Sequence, residues 1–235
     1  MLRTHTQTGG STLTAQQPLN NIARSAIQAL AAVSGGVQSL ALSCYDEALA
    51  LPTEDAQQIA LRTQQIIAHE SGAADTIDPF AGSYYIESLT DSLEKEASKI
   101  MDHIDDLGGA SASIETGYMQ TEIQEASVSW QHEVESNERT IVGVNAFIDP
   151  SEDATPIFRP NHEVADAQLS RLAELRKNRK SGEVQSVLDK LRTDANSQEN
   201  LMPTIIEAVR SYATLGEICG VLREEWGEYT PVTVV

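Results

Sequence analysis

Arg3, His5 and Gln7 stand two apart in a polar stretch, Arg3-Thr4-His5-Thr6-Gln7-Thr8, that runs into Gly9-Gly10. In a strand, residues two apart share one face. That face would offer a cation, an imidazole and an amide, groups that hold and orient a polar ligand. Thr4, Thr6 and Thr8 would face the other way. The two glycines carry no Cβ, so backbone or a flat ligand can come close there. Gln38-Ser39 lies on the next strand-like run, and Glu47 follows the loop after it. A carboxylate just beyond the C-terminal end of a parallel strand is where α/β folds place ligand contacts. Each group also has a plain structural reading. His5 and Gln7 suit a hydrogen-bonded polar strand at a sheet end. Glu47, or better Asp46, suits an acid drawn to a helix N-terminus. Spacing leaves both readings open.

Other chemistry is thinly represented. There is no P-loop, GxSxG, HExxH or zinc spacing, so neither phosphate-loop nor metal-hydrolase chemistry is expected, and no metal site. Ser39 and Ser43 have no base nearby in sequence. His69, His103 and His132 fall in amphipathic stretches and read as surface or boundary residues. Cys44 and Cys219 are far apart and outside any CxxC pattern, which fits a reducing compartment better than a disulfide; Cys44 reads as a small buried residue. Net charge is −19, which argues against nucleic acid or an anionic membrane as partner. No signal-like N-terminus or membrane-length apolar run is present, so a cytoplasmic, soluble protein is expected.

The elements that must position these groups follow from hydrophobic periodicity. Residues Leu2–Thr8 read as a strand and Pro18–Val33 as a helix with Ile22, Ala26, Ala29, Leu30 and Val33 on its apolar side, ending at Gly35-Gly36. Val37–Leu42 reads as a short buried parallel strand. Thr53 is the expected cap of the next helix, which stops near Gly72. A long helix to about Leu107 should bury Leu89, Leu93, Ala97, Ile100, Ile104 and Leu107. A further helix carries Met119, Ile123, Ala126, Trp130 and Val134, and Thr140–Phe147 reads as a third strand. Beyond Asp149 a segment with Pro150, Pro156 and Pro160 reads as a linker, followed by helices at about 164–180, 183–193, 201–212 and 215–226. Thr214-Leu215-Gly216-Glu217 is a capping box. The domain division is therefore 1–149, a linker at 150–162, and a helical extension at 163–235. Strands alternating with helices, then helices alone, describe a β/α unit with a helical extension. Three strands would leave two open edges, so the sheet is expected to be completed by another chain or to be the latter part of a larger barrel.

Several segments resemble the large, catalytic subunit of the methylmalonyl-CoA mutase family. They are Arg3-Thr4-His5-Thr6-Gln7-Thr8, Leu13-Thr14-Ala15-Gln16 with Asn20-Asn21, Gln38-Ser39-Leu40, Asp46-Glu47-Ala48-Leu49-Ala50-Leu51-Pro52-Thr53, Glu70-Ser71-Gly72, Ile77-Asp78-Pro79-Phe80-Ala81-Gly82-Ser83-Tyr84 and Gly143-Val144-Asn145. Leu215-Gly216-Glu217-Ile218 and Trp226-Gly227-Glu228-Tyr229 resemble the family's end where the cobalamin domain is a separate chain. The resemblance implies an α/β fold, the C-terminal half of a (β/α)8 TIM-type barrel followed by the helical extension. It implies adenosylcobalamin as cofactor, an acyl-CoA substrate threading the barrel axis, and radical rearrangement of methylmalonyl-CoA to succinyl-CoA. Isobutyryl-CoA and 2-hydroxyisobutyryl-CoA are the substrates of related mutases.

Carried over by position, Gly10 matches a glycine lying against cobalamin, and Glu47 and Ala50 match cobalamin and adenosyl contacts. His5 and Gln7 match strand-end residues near substrate and corrin, and Gln38 and Ser39 match the substrate channel. The family usually continues Gln-Ser-Leu with His-Thr-Asn; here Ala41-Leu42-Ser43 stand instead, so Ser43 offers a hydroxyl where an amide usually holds the adenosyl group. No catalytic residue is assigned within the chain. The early barrel strands and the cobalamin domain are missing from it. Partner chains, including a cobalamin-binding subunit, are therefore expected, and the chain alone is expected to be inactive. The rival expectation is a noncatalytic assembly or binding piece of a mutase.

Overall fold

A computed structural model describes residues 3–150 and 155–231; Leu2 of the expected first strand lies outside them. The chain divides into two compact units, one running to Arg159 and the other spanning Pro160–Pro231.

The first unit opens with strand β1 (His5–Gln7), a single 3-10 turn (Gly10–Thr12) and helix α1 (Asn20–Ser34), followed by strand β2 (Ser39–Ala41) and helix α2 (Glu54–Glu70). β1 and β2 pair in parallel, His5 with Ser39, Thr6 with Leu40 and Gln7 with Ala41. Parallel neighbours need a crossover, and α1 supplies it. The Thr8 N–H carries the ladder one step further, donating to the Ala41 carbonyl at 3.0 Å. Side chains alternate as the spacing predicts: His5 and Gln7 are exposed, Thr6 is half-buried and Thr8 is buried. The expected buried strand at 37–42 is shorter and more open, with Ser39 exposed and Leu40 and Ala41 half-buried. Only Leu42, just past the strand, joins Ala29 and Ile67 in the small apolar core, with Val33, Leu40, Ala60 and Ala73 packed around them.

Helix α1 departs from its expected face. Its most buried line is Asn21, Ser25 and Ala29, spaced i, i+4, i+8, whereas Leu30 is exposed. The cause is hydrogen bonding: Asn21 and Ser25 point at carbonyls of the loop that follows β2. Burial of polar side chains is tolerated where partners are supplied. α2 begins as expected, with Thr53 Oγ1 accepting from the Ala56 N–H at 3.2 Å and Glu54 and Asp55 in the first turn.

Helices α3 (Tyr84–Asp106), α4 (Ala110–Glu115) and α5 (Tyr118–Glu135) follow. α4 was not foreseen; it is a single short stretch after the Gly108-Gly109 break. The apolar side of α3 is not buried as expected: Leu89, Leu93, Ile100 and Leu107 are exposed. The helix forms where the periodicity predicts, but along that side only Ile104, near α4, is half-buried. His103 meets Tyr118 edge-to-face with ring centroids 4.8 Å apart. His69, His103 and His132 are all exposed.

The expected third strand at 140–147 is instead a tight turn. It holds one isolated bridge, between Val142 and Ala146, and two β-strands in all are found among the described residues. Gly143 has φ +82° and Phe147 φ +56°, which extended backbone does not permit. Asn145 folds the segment: its Oδ1 accepts from the Ile141 N–H at 2.7 Å, and its Nδ2 donates to the carbonyls of Val134 and Arg139, both at 2.8 Å. Asn145→Ala should therefore free the Ile141 amide, raising its hydrogen-exchange rate roughly tenfold for about 1–2 kcal/mol of lost local stability. Exchange in α1 and α2 should not change. Unaltered protection at Ile141 would show that the backbone holds the turn without the side chain.

The second unit is all helix: α6 (His162–Asn178), α7 (Ser181–Ala195), α8 (Met202–Arg210) and α9 (Leu215–Trp226). α7 turns Val184, Val187, Leu188 and Leu191 inward at i, i+3, i+4, i+7 against Ala208, Ile218 and Val221. The Thr214–Glu217 capping box forms as read. No described helix is long and apolar enough to cross a membrane.

Candidate functional site

The two strands bring His5, Gln7 and Ser39 to one exposed face. At the start of the ladder, His5 Nδ1 lies 2.9 Å from Ser39 Oγ. Gln38 is fixed just before β2: its Oε1 accepts from the Thr4 N–H at 2.7 Å and the Thr4 hydroxyl at 2.9 Å, and its Nε2 donates to the Gly36 carbonyl. Gln7, the last residue of β1, lies further along at the carboxyl end.

A cleft of about 510 Å3 opens at that carboxyl end, lined by Gln7, Leu42, Cys44, Glu47, Ala50, Leu51 and Pro52. The volume lies within the range of small-molecule pockets, roughly 300–1,000 Å3. Its position obeys the rule that parallel sheets present ligands beyond the C-terminal ends of their strands. A second depression, about 430 Å3, runs along α3 between Asp91 and Asp102, but one helix alone lines it and it encloses nothing.

Glu47 stands over Gly10. A Cβ built on Gly10 would overlap the Glu47 carboxylate, most severely Oε1, and would sit 2.9 Å from its Cδ. Glycine thus gives the Glu47 carboxylate its present place by close approach, and the backbone conformation does not demand it. Among the described residues no donor holds the Glu47 carboxylate. It is exposed and available to a ligand's hydroxyl or N–H groups.

Beneath this wall the loops are tied by polar groups. Ser43 is buried and reciprocally bonded to Thr8: its N–H donates to Thr8 Oγ1 at 2.8 Å and its hydroxyl to the Thr8 carbonyl at 2.9 Å. The hydroxyl is therefore engaged within the fold and does not line the cleft. Asp46 is fully buried. Its Oδ2 accepts from the Thr53 N–H at 2.8 Å and the Thr53 hydroxyl at 3.0 Å. Asp46 thus meets the residue that caps α2, as its sequence position suggested, whereas Glu47 does not.

The Cys44 thiol is half-buried, and its pKa is pushed up by burial, then by the negative charges of Asp46 and Glu47. It remains protonated and a poor nucleophile near neutral pH. Cys44 and Cys219 are both free thiols. No group of three or more metal-ligating side chains is gathered among the described residues.

Sequence reasoning missed one node altogether. Asn21, with no exposed surface, donates from Nδ2 to the carbonyls of Thr14 and Tyr45, both at 2.8 Å. Its Oδ1 accepts from the Thr14 N–H at 3.1 Å and from Arg24 Nη1 at 2.7 Å. Arg24 also donates from Nη2 to the Val142 carbonyl at 2.8 Å, and Gln17 Nε2 donates to the Phe147 carbonyl at 2.9 Å. One asparagine and one arginine thereby join the loop after β1, the loop after β2 and the 141–147 turn. The signal in the sequence was Asn20-Asn21 within a segment that resembles the family, with nothing in its spacing to mark a structural role.

Comparison with known proteins places the chain in a family. The family model described as methylmalonyl-CoA mutase matches residues 1–228. The chain is 44% identical to the 2-hydroxyisobutanoyl-CoA mutase large subunit of Aquincola tertiaricarbonis over 98% of its length. It is 42% identical to the methylmalonyl-CoA mutase of Rhizobium meliloti (strain 1021) over 100%, and 44% identical to that of Escherichia coli (strain K12) over 97%. It spans 42%, 33% and 32% of the lengths of these three relatives. A family match over almost every residue, joined to relatives of this identity, establishes that the chain belongs to the methylmalonyl-CoA mutase family.

Proposed function

We propose that this chain is part of an adenosylcobalamin-dependent acyl-CoA mutase. It contributes one wall of the cofactor cleft and works only with chains that supply the remaining barrel and the cobalamin domain. The observation that carries the reading is the cleft at the carboxyl ends of β1 and β2, where Gln7, Glu47 and Ala50 meet and a bare Gly10 leaves room for the Glu47 carboxylate. These residues fit a nucleoside-bearing cofactor. A free carboxylate can accept from ribose hydroxyls, a side-chain amide can donate or accept, and Leu42, Leu51 and Pro52 offer an apolar surface.

When bound, the cofactor supplies the radical chemistry of carbon-skeleton rearrangement. The chain's own groups bind, orient and exclude water. Glu47 would accept from the cofactor's hydroxyls, Gly10 would permit close approach, and Gln7, at the strand end, would offer an amide to it. His5 and Ser39, paired on one strand face, with Gln38 just before β2, would line the acyl-CoA path. Ser43 contributes through Thr8, holding the end of β1 to the loop after β2. The two-stranded parallel sheet is open on both sides among the described residues, as a segment of a (β/α)8 barrel would be, and the missing strands would come from a complementary chain. Free thiols and the absence of a membrane-length apolar helix among the described residues agree with a place in the cytoplasm.

Methylmalonyl-CoA is the first substrate to test and 2-hydroxyisobutyryl-CoA the second, because a relative of the latter name matches the chain as closely as the methylmalonyl-CoA mutases do. The assay mixes this chain with adenosylcobalamin, an upstream half-barrel and a cobalamin-domain subunit, omitting each in turn. Turnover that requires this chain is the expected result. Glu47→Ala should weaken adenosylcobalamin binding about tenfold, the scale of one hydrogen bond to a charged group. Unchanged affinity would remove Glu47 from the site. One observation favours a second reading, a binding piece without turnover: the Ser43 hydroxyl, at the position where the family usually carries an adenosyl-holding amide, is engaged by Thr8. A well-folded complex that binds cobalamin yet turns over neither substrate would support it.

A further inference from the structure

We infer that Asp46 is a positioning residue of the cleft, fixing where Glu47 and Ala50 stand by tying both ends of the 46–53 loop together. The inference rests on the cofactor reading above. Four lining residues, Glu47, Ala50, Leu51 and Pro52, belong to this one loop. No regular element runs through it between β2 and α2. Its shape depends on Asp46 at one end and Thr53 at the other. Asp46 Oδ2 takes both the N–H and the hydroxyl of Thr53, at 2.8 and 3.0 Å. The Asp46 carbonyl accepts from the Leu49 N–H at 2.9 Å and the Ala50 N–H at 3.1 Å. Thr53 Oγ1 in turn accepts from the Ala56 N–H, so the chain of contacts continues into α2. A single buried side chain thereby fixes the loop's span and anchors it to a rigid helix.

The second carboxylate oxygen, Oδ1, is buried, and no protein group among the described residues donates to it. An acid retained in such a place is costly for folding alone, since an unpartnered buried polar atom carries a desolvation penalty. Asp46 does not line the cleft, and so acts on a ligand only through the loop. Ligand-contacting groups lose affinity when the residues that support them let them move by an ångström or so.

The test measures two quantities on the assembled complex: hydrogen exchange at Leu49, Ala50 and Thr53, and affinity for adenosylcobalamin by its absorption change. Asp46→Ala should speed exchange at those amides, leave the α7–α9 amides unchanged and weaken binding about tenfold. Asp46→Asn, which keeps an acceptor for Thr53, should restore most of both. Thr53→Val, which removes the hydroxyl's bonds to Asp46 and to the Ala56 N–H but keeps the Thr53 N–H on Asp46, should weaken binding about threefold and covers the case in which Asp46→Ala does not fold. Glu47→Ala is measured alongside. If it weakens binding while Asp46→Ala and Thr53→Val loosen the loop without loss of affinity, the inference is overturned and the cofactor reading stands. If none of these variants alters affinity, the cofactor reading fails and the inference with it. Equal losses in Asp46→Ala and Asp46→Asn would also overturn the inference, because charge rather than loop position would then be responsible.

Discussion

Gly10→Ala should reduce adenosylcobalamin binding by the assembled enzyme at least tenfold, and roughly a hundredfold if the carboxylate is fully displaced, while leaving the fold intact. The added methyl group would occupy space held by the Glu47 carboxylate. The backbone itself does not object, since Gly10 lies in a 3-10 turn and is not among the glycines with positive φ. Alanine at a compatible position is neutral or mildly stabilising, by up to about 1 kcal/mol. Glu47 is exposed and flexible, so it can swing aside at small cost to stability. The damage is then confined to the site: the carboxylate leaves the place where a ligand hydroxyl would meet it, and the methyl group fills the close-approach surface. The double variant checks this account. In a Glu47→Ala background the Gly10→Ala change no longer displaces a carboxylate, so the two losses should be clearly less than additive. Full additivity would mean that Gly10 and Glu47 act independently. A large fall in melting temperature would mean that the glycine serves the fold.

The cleft was legible in the sequence to the extent that it depends on local rules. Strand alternation placed His5 and Gln7 on one face, and the position of a carboxylate after a parallel strand pointed to Glu47. What stayed hidden depends on contacts between segments distant in sequence. Asn21 and Arg24 join three loops, and no periodicity marks an asparagine for that work. Thr140–Phe147 has the β-branched and apolar content of a strand, yet Asn145 and the left-handed backbone at Gly143 and Phe147 fold it into a turn. The apolar side of α3 was identified by spacing, but spacing records which residues seek cover and not whether this chain provides it. Exposed Leu93 and Ile100 accord with a chain that spans only part of its relatives' length. The second unit was the most legible, because its core is built from short-range helical spacing and its caps are written within a few residues.

Glu217→Ala should damage that second unit strongly, costing about 3 kcal/mol at neutral pH. Arg179 reaches Glu217 with two nitrogens, Nη1 at 2.7 Å and Nη2 at 2.5 Å, and the same carboxylate accepts from the Thr214 N–H and hydroxyl, both at 2.8 Å. The Arg179 side chain is only 10% exposed. Truncating Glu217 would leave a largely buried guanidinium with the Tyr212 carbonyl as its remaining protein acceptor and would dismantle the capping box. Removing one partner of a buried ion pair typically costs about 3–5 kcal/mol, and partial exposure of the carboxylate favours the lower end. Glu217→Gln keeps acceptors for Thr214 and should cost less.

The same pair sets an acid limit. The Arg179 hydrogen bond is the largest cause that lowers the Glu217 carboxyl from its ordinary 4.5 to about 2; burial opposes it, and the two Thr214 hydrogen bonds add smaller lowering effects. A carboxyl lowered in the folded state stabilises fully above its unfolded value and loses that contribution as pH falls from about 4.5 toward 2. Discounted for solvent screening, the contribution is about 1–2 kcal/mol. Urea unfolding read by Trp226, whose indole N–H donates to the Ala195 carbonyl, should therefore show wild type losing that much more stability than Glu217→Gln between pH 5 and pH 2.5. Parallel acid profiles for the two proteins would show that the ion pair contributes nothing beyond what its neutral isostere supplies.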